Sequence, residues 1–173
     1  MHTDNSKILA IDPGTRELGV AVLTSGELLY YGVKTIRRRS SASEILNQVH
    51  QIISRLIADY KPQCLAIEKM FFIHKSAALL NVTADEIKAV ALAEGLTIFE
   101  YAPTLVRKTI CKTGKATKRE AAKVIATRYP ELARYLEHRT KWEELYYANM
   151  FDAVALGVAA NMEITGATLL GHN

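Results

Sequence analysis

A chain of 173 residues, 49% of them apolar, has the length and hydrophobicity for one well-packed domain, which excludes a disordered protein. No apolar run is long enough to span a bilayer, and the opening Met-His-Thr-Asp-Asn-Ser lacks the apolar core of a secretory leader. Two cysteines, Cys64 and Cys111, do not make a disulfide framework, so a reducing, cytoplasmic setting is expected. The formal charge of +4 is unevenly spread: seven bases and one acid between Leu105 and Lys123 give that stretch +6, and the remainder sums to −2. Such local positive charge is the footprint of a polyanionic partner.

Residues 1–6 read as a flexible N-terminus and 7–162 as a single domain, with 163–173 as a loose C-terminal tail. Lys7–Asp12 is a short apolar run ending in an acid, turned at once by Pro13-Gly14. Leu18–Thr24 and Leu28–Ile36 follow as strands, joined by the turn signal Ser25-Gly26. Arg37–Arg39 then opens a polar loop. Ser41 and Glu44 fit a capping box, and Ile45, Val49, Ile52, Ile53 and Leu56 fall on one face of the helix that ends before Pro62. Cys64–Glu68 repeats the pattern of the first strand.

After an aromatic loop, Lys69–Lys75, a helix is expected over about 76–94, apolar on more than one side. Ala77, Leu80, Ala84, Ile87 and Ala91 form one seam. Ala78, Val82, Ala89 and Leu92 add a second surface, whose cover would include another subunit. Leu96–Tyr101 is a fifth strand, and Pro103 opens the basic stretch. Thr117 and Glu120 make a second capping box, starting a helix that runs to about Arg128. Tyr135–Tyr147 shows no clear pattern, and Ala148–Ala160 is an oily helix interrupted by Asp152. A three-stranded meander feeding crossovers implies an α/β fold: a mixed five-stranded sheet flanked by helices on both faces.

Asp12, Glu68 and Asp152 each place a carboxylate in apolar surroundings, which is costly without a cation or good donors. Taken singly, Asp12 and Glu68 also read as turn formers at strand ends. Together they suit Mg²⁺ or Mn²⁺, hard ions that take oxygen ligands and keep exchangeable waters. Two such ions roughly 3.5–4 Å apart activate a water and stabilise the leaving oxygen in phosphodiester hydrolysis.

Ile8-Leu9-Ala10-Ile11-Asp12-Pro13-Gly14-Thr15, then Ala66-Ile67-Glu68 with Phe71 three residues on, then Asp152-Ala153-Val154-Ala155-Leu156, resemble the RuvC family of Holliday-junction endonucleases. The resemblance covers about Lys7 to Ala160. It implies an RNase H-like fold, a homodimer, and paired, Mg²⁺-dependent nicks on four-way DNA, with Asp12, Glu68 and Asp152 as metal-binding catalytic residues. The family's further metal position, an acid or histidine one turn before the last aspartate, is Asn149 here. An amide offers an oxygen to a metal but no charge.

Phe71 matches the family's aromatic that stacks on a base near the junction centre, with Phe72, His74 and Lys75 beside it. Stacking suits this task because every base has a π-face. Arg107 and Lys118 sit at the family's phosphate-binding positions, within a cluster that includes Lys108, Lys112, Lys115 and Arg119. Two other readings stand beside the nuclease. A non-cleaving RNase H-like module that binds branched nucleic acid is motivated by Asn149. A phosphotransfer domain of the actin and sugar-kinase type also opens with Asp-x-Gly-Thr but needs a second lobe for which 173 residues leave no room.

Overall fold

In the computed structural model, residues 6–37, 39–70 and 77–166 are described. Five strands, β1 (Lys7–Asp12), β2 (Glu17–Thr24), β3 (Glu27–Thr35), β4 (Cys64–Glu68) and β5 (Thr97–Tyr101), form one sheet in the order β3-β2-β1-β4-β5. The β1–β2 and β2–β3 pairs are antiparallel, and β1–β4 and β4–β5 are parallel. This is the mixed sheet expected from the order of elements. Ser25 and Gly26, at φ 49° and 81°, make the two-residue β2–β3 turn, in which both central residues take positive φ.

The pleat divides the core in two. On one face Leu9, Ile11, Val20, Val22, Leu65 and Ile67 pack under α1 (Ala42–Tyr60) and α2 (Ala78–Ala93). On the other, Ile8, Ala10, Ala21, Leu23 and Ala66 pack under α3 (Pro103–Cys111), α4 (Lys118–Arg128) and α5 (Lys141–Thr165). Both expected capping boxes form: Ser41 with Glu44 starts α1, and Thr117 with Glu120 starts α4. Lys61, at φ 50°, closes α1 before Pro62.

Three features depart from the expected pattern. The basic stretch begins with the nine-residue α3, where Pro103 occupies the first turn and Val106 and Ile110 face inward. The unplaced Tyr135–Tyr147 takes in the end of a 3₁₀ turn, Pro130–Leu136, and the first two turns of α5. That helix starts at Lys141 rather than Ala148, and it runs through Glu163 to Thr165, where a loose tail was expected to have begun. The second apolar surface of α2, for which cover from another subunit was expected, is exposed at Ala78, Val82, Ala89 and Leu92, Leu92 at 62%.

Helix α5 is buried along its centre, from Met150 to Asn161 apart from the half-buried Asp152. Two glycines let it lie this close to the sheet. A Cβ on Gly19 of β2 would collide with the backbone carbonyl of Asn149, and one on Gly157 with the side chain of Leu23. Among the described residues, no helix is long and apolar enough to cross a membrane.

Candidate active site

The parallel register of β1 and β4 pairs Ala10 with Ala66 and Ile11 with Ile67, so the next position on each strand brings Asp12 beside Glu68. Both continue the alternation of Ala10 and Ala66, whose side chains meet the α3–α5 layer. Across the antiparallel pair, Asp12 faces Gly19, and a Cβ added there would come 3.1 Å from the Cβ of Asp12 as well as into α5. The small residue therefore seats the helix against the strand that ends in Asp12. Asp152 follows Asn149 by one turn of that helix.

Lys118, the first residue of α4, reaches into this group and donates to Asp152 Oδ2 at 2.5 Å. Its side chain is 64% exposed, so the contact belongs to the tip of an otherwise solvated lysine. Burial raises the Asp12 carboxyl well above its ordinary range, the charges of Asp152 and Glu68 add to this, and Lys118 works against it. Glu68 is raised by burial and by Asp152, with Lys118 and Arg107 pulling it back. Burial disfavours the Lys118 ammonium, yet Asp152, Asp12 and Glu68 together outweigh that and raise its pKa.

A small cavity of about 30 Å³, room for a single water, lies among Glu68, Arg107, Lys118 and Asp152. Arg107 projects into it from α3, and its Nε is buried with no partner among the described residues. The three acids expected to converge are thus mutually coupled around one lysine ammonium. Among the described residues, however, no three His, Cys, Asp or Glu side chains are grouped closely enough to hold an ion. The side-chain chemistry still fits a hard cation: the donors are carboxylate oxygens, two of them are pushed toward protonation, and a positive group already stands between them.

Asn149 donates through Nδ2 to Glu17 Oε2 at 3.2 Å. Sequence pattern alone does not single out Glu17, an acid at the start of an ordinary strand; strand register and the seating of α5 bring it there. Lys108, Lys112, Lys115 and Arg119 are exposed, on α3, at its left-handed cap, in the α3–α4 connection and at the start of α4. Phe71, Phe72, His74 and Lys75 lie outside the described residues.

Residues 8–137 match the family profile described as crossover junction endodeoxyribonuclease RuvC, a match that stops short of α5. The RuvC of Pelodictyon phaeoclathratiforme is 32% identical over 125 residues, covering 69% of this chain and 65% of that protein. That of Natranaerobius thermophilus is 32% identical over 124 residues, covering 68% of this chain and 77% of its own length. The aligned part thus spans about two thirds to three quarters of these relatives. Among solved structures, Thermus thermophilus RuvC in complex with a Holliday junction substrate superposes with a TM-score of 0.73 at 19% identity. That superposition covers 93% of this chain and 96% of the other, so the two share a fold across α5 as well.

Proposed function

Because the chain belongs to the RuvC family of crossover junction endodeoxyribonucleases, we propose that it resolves four-way DNA junctions by divalent-metal-dependent phosphodiester hydrolysis. The observation that carries this reading is the coupled trio of Asp12, Glu68 and Asp152, drawn from two neighbouring strand ends and a distant helix around one cation. Family membership implies a divalent ion. We assign Mg²⁺, with Mn²⁺ as a substitute and two ions per site, to those three carboxylates, with Asn149 as a neutral oxygen beside them. When bound, such ions lower the pKa of a water and neutralise charge on the leaving oxygen.

The remaining residues bind and orient. To Arg107, which lines the cavity beside Glu68, we assign a phosphate contact, a reading supported by its Nε having no partner among the described residues. Lys118 counterbalances the acids, and with a divalent ion held by them its ammonium would be available to a phosphate oxygen. Lys108, Lys112, Lys115 and Arg119 hold flanking phosphates through charge alone, which makes affinity fall steeply with salt. Phe71, supported by Phe72, His74 and Lys75, stacks on an unpaired base at the junction centre. Paired nicks need two sites, and the exposed Val82 and Leu92 of α2 offer the apolar face for a homodimer. Cys64 and Cys111 are not joined in a disulfide, which suits the cytoplasmic setting read from the sequence.

Two observations favour a second reading, a module that binds branched DNA without cutting it. Asn149 carries no charge, and no three acids among the described residues are grouped for one ion. A nicking assay on a four-way junction decides between them. The nuclease reading expects Mg²⁺- or Mn²⁺-dependent paired nicks from the unaltered protein and none from Asp12→Asn, which still binds the junction. Binding without metal-dependent nicking in both proteins would leave the non-cleaving module.

A further inference from the structure

Glu17 and Asn149 are 132 residues apart in sequence and meet at the border of the carboxylate group, where α5 rests on β2. Both are half-buried. A carboxylate only accepts hydrogen bonds, so the atom facing Glu17 must be the amide nitrogen of Asn149. The amide is planar, and committing its nitrogen leaves Oδ1 as the one acceptor on its other branch. Asn149 and Asp152, three residues apart, share a face of α5. Gly19, which admits the Asn149 backbone, also lies against Asp12. The Asn149 backbone thus lies near Asp12 across Gly19, and its side chain shares a helix face with Asp152.

We propose that Glu17 is a positioning residue of the carboxylate site. By accepting from Asn149 it fixes the amide with Oδ1 turned to a divalent cation held by Asp12 and Asp152, and it polarises the neutral amide so that this oxygen becomes more basic. Outer partners of this kind orient a ligand and raise its basicity, and their loss typically costs 10–100-fold in metal affinity. The proposal rests on the assignment of Asp12 and Asp152 as cation-holding residues. A Glu17–Asn149 contact that merely fastened α5 to β2 would contribute to stability and leave metal affinity alone.

The test titrates Mn²⁺ into the metal-free protein, following free Mn²⁺ by electron paramagnetic resonance, with parallel thermal melts in EDTA. Glu17→Gln keeps the shape but removes the charge and the fixed amide orientation, and Asn149→Ala removes the relay. Each variant is expected to weaken Mn²⁺ binding about tenfold or more, and the double variant no more than the weaker single. Mn²⁺ affinity within about twofold of the unaltered protein in Glu17→Gln would overturn the proposal, whether or not its melting temperature falls. Losses that add in full in the double variant would also overturn it. Asp12→Asn separates the two layers: if it binds Mn²⁺ normally the site assignment itself fails, and if it loses binding while Glu17→Gln does not, only the role of Glu17 fails.

Discussion

Asp12 concentrates the electrostatic cost of this fold. Burial first, then Asp152 and Glu68, raise its pKa, so its charged form is less favourable folded than unfolded. For an acid shifted in that sense, the stabilising contribution is complete below the unfolded-chain value near 4 and is lost as pH rises through the folded value. In EDTA, Asp12→Asn should therefore be more stable than the unaltered protein near neutral pH, by about 1–2 kcal/mol, with the gap closing toward pH 4. Thermal melts of both proteins across that pH range measure it, and the difference removes contributions common to both.

Lys118 supplies the complementary case. Removing its ammonium leaves Asp12, Glu68 and Asp152 without their nearest cation. Lys118→Met is expected to lower the melting temperature in EDTA, and saturating Mg²⁺ should narrow that deficit because the ion provides the same charge. Melts with and without Mg²⁺ check it. A deficit unchanged by Mg²⁺ would separate Lys118 from the ion's place. Asp12, Glu68 and Asp152 are legible in the sequence because each interrupts or ends an apolar run. Glu17 is not, because its neighbours give no contrast and its partner arrives from the far end of the chain.

At the scale of elements, the site depends on how closely α5 lies on the sheet. Gly19 has no room for a methyl group, because the nearest atoms belong to the Asn149 backbone, which cannot swing aside. Gly19→Ala should cost about 1–3 kcal/mol or more and weaken metal binding by displacing Asp152. Gly157→Ala meets the end of the Leu23 side chain and, less closely, the Cβ of Ala10; a side-chain tip gives way more readily than backbone, so it should cost less. Urea unfolding of the two variants gives the comparison, and an equal or reversed order would contradict the packing argument.

The strands and α1 were readable because alternation and capping residues agree locally, down to the Ser41–Glu44 box. The start of α5 was not. Its first turns present Trp142, Glu143, Glu144 and Leu145 to solvent or near it, so no apolar seam marks them. The available signal was Thr140, whose side chain caps Glu143. Helix α3 is similarly short, with only Val106 and Ile110 buried, and Pro103 at its first turn was the sign of it.

For the molecule as a whole, surface chemistry separates two tasks. Positive charge gathers on α3, the α3–α4 connection and the start of α4, beside the acids and Arg107, while α2, across the sheet, exposes Ala78, Val82, Ala89 and Leu92. If α2 is the subunit contact, Leu92→Glu should shift the protein from dimer to monomer in sedimentation, with little change in its melting temperature at low concentration. A strictly monomeric unaltered protein would contradict that assignment. If the basic surface follows DNA, Lys115→Ala and Arg119→Ala should each reduce the salt slope of junction binding by about one, without favouring any sequence.

That carboxylates from β1, β4 and α5 form one cation site, with Lys118 as the charge a divalent ion replaces, is tested most directly by anomalous scattering from crystals of the protein grown with Mn²⁺. The expected result is a peak bounded by Asp12, Glu68 and Asp152, with Lys118 Nζ moved off Asp152. Crystals that bind Mn²⁺ elsewhere, or not at all, while Lys118 remains on Asp152, would contradict it.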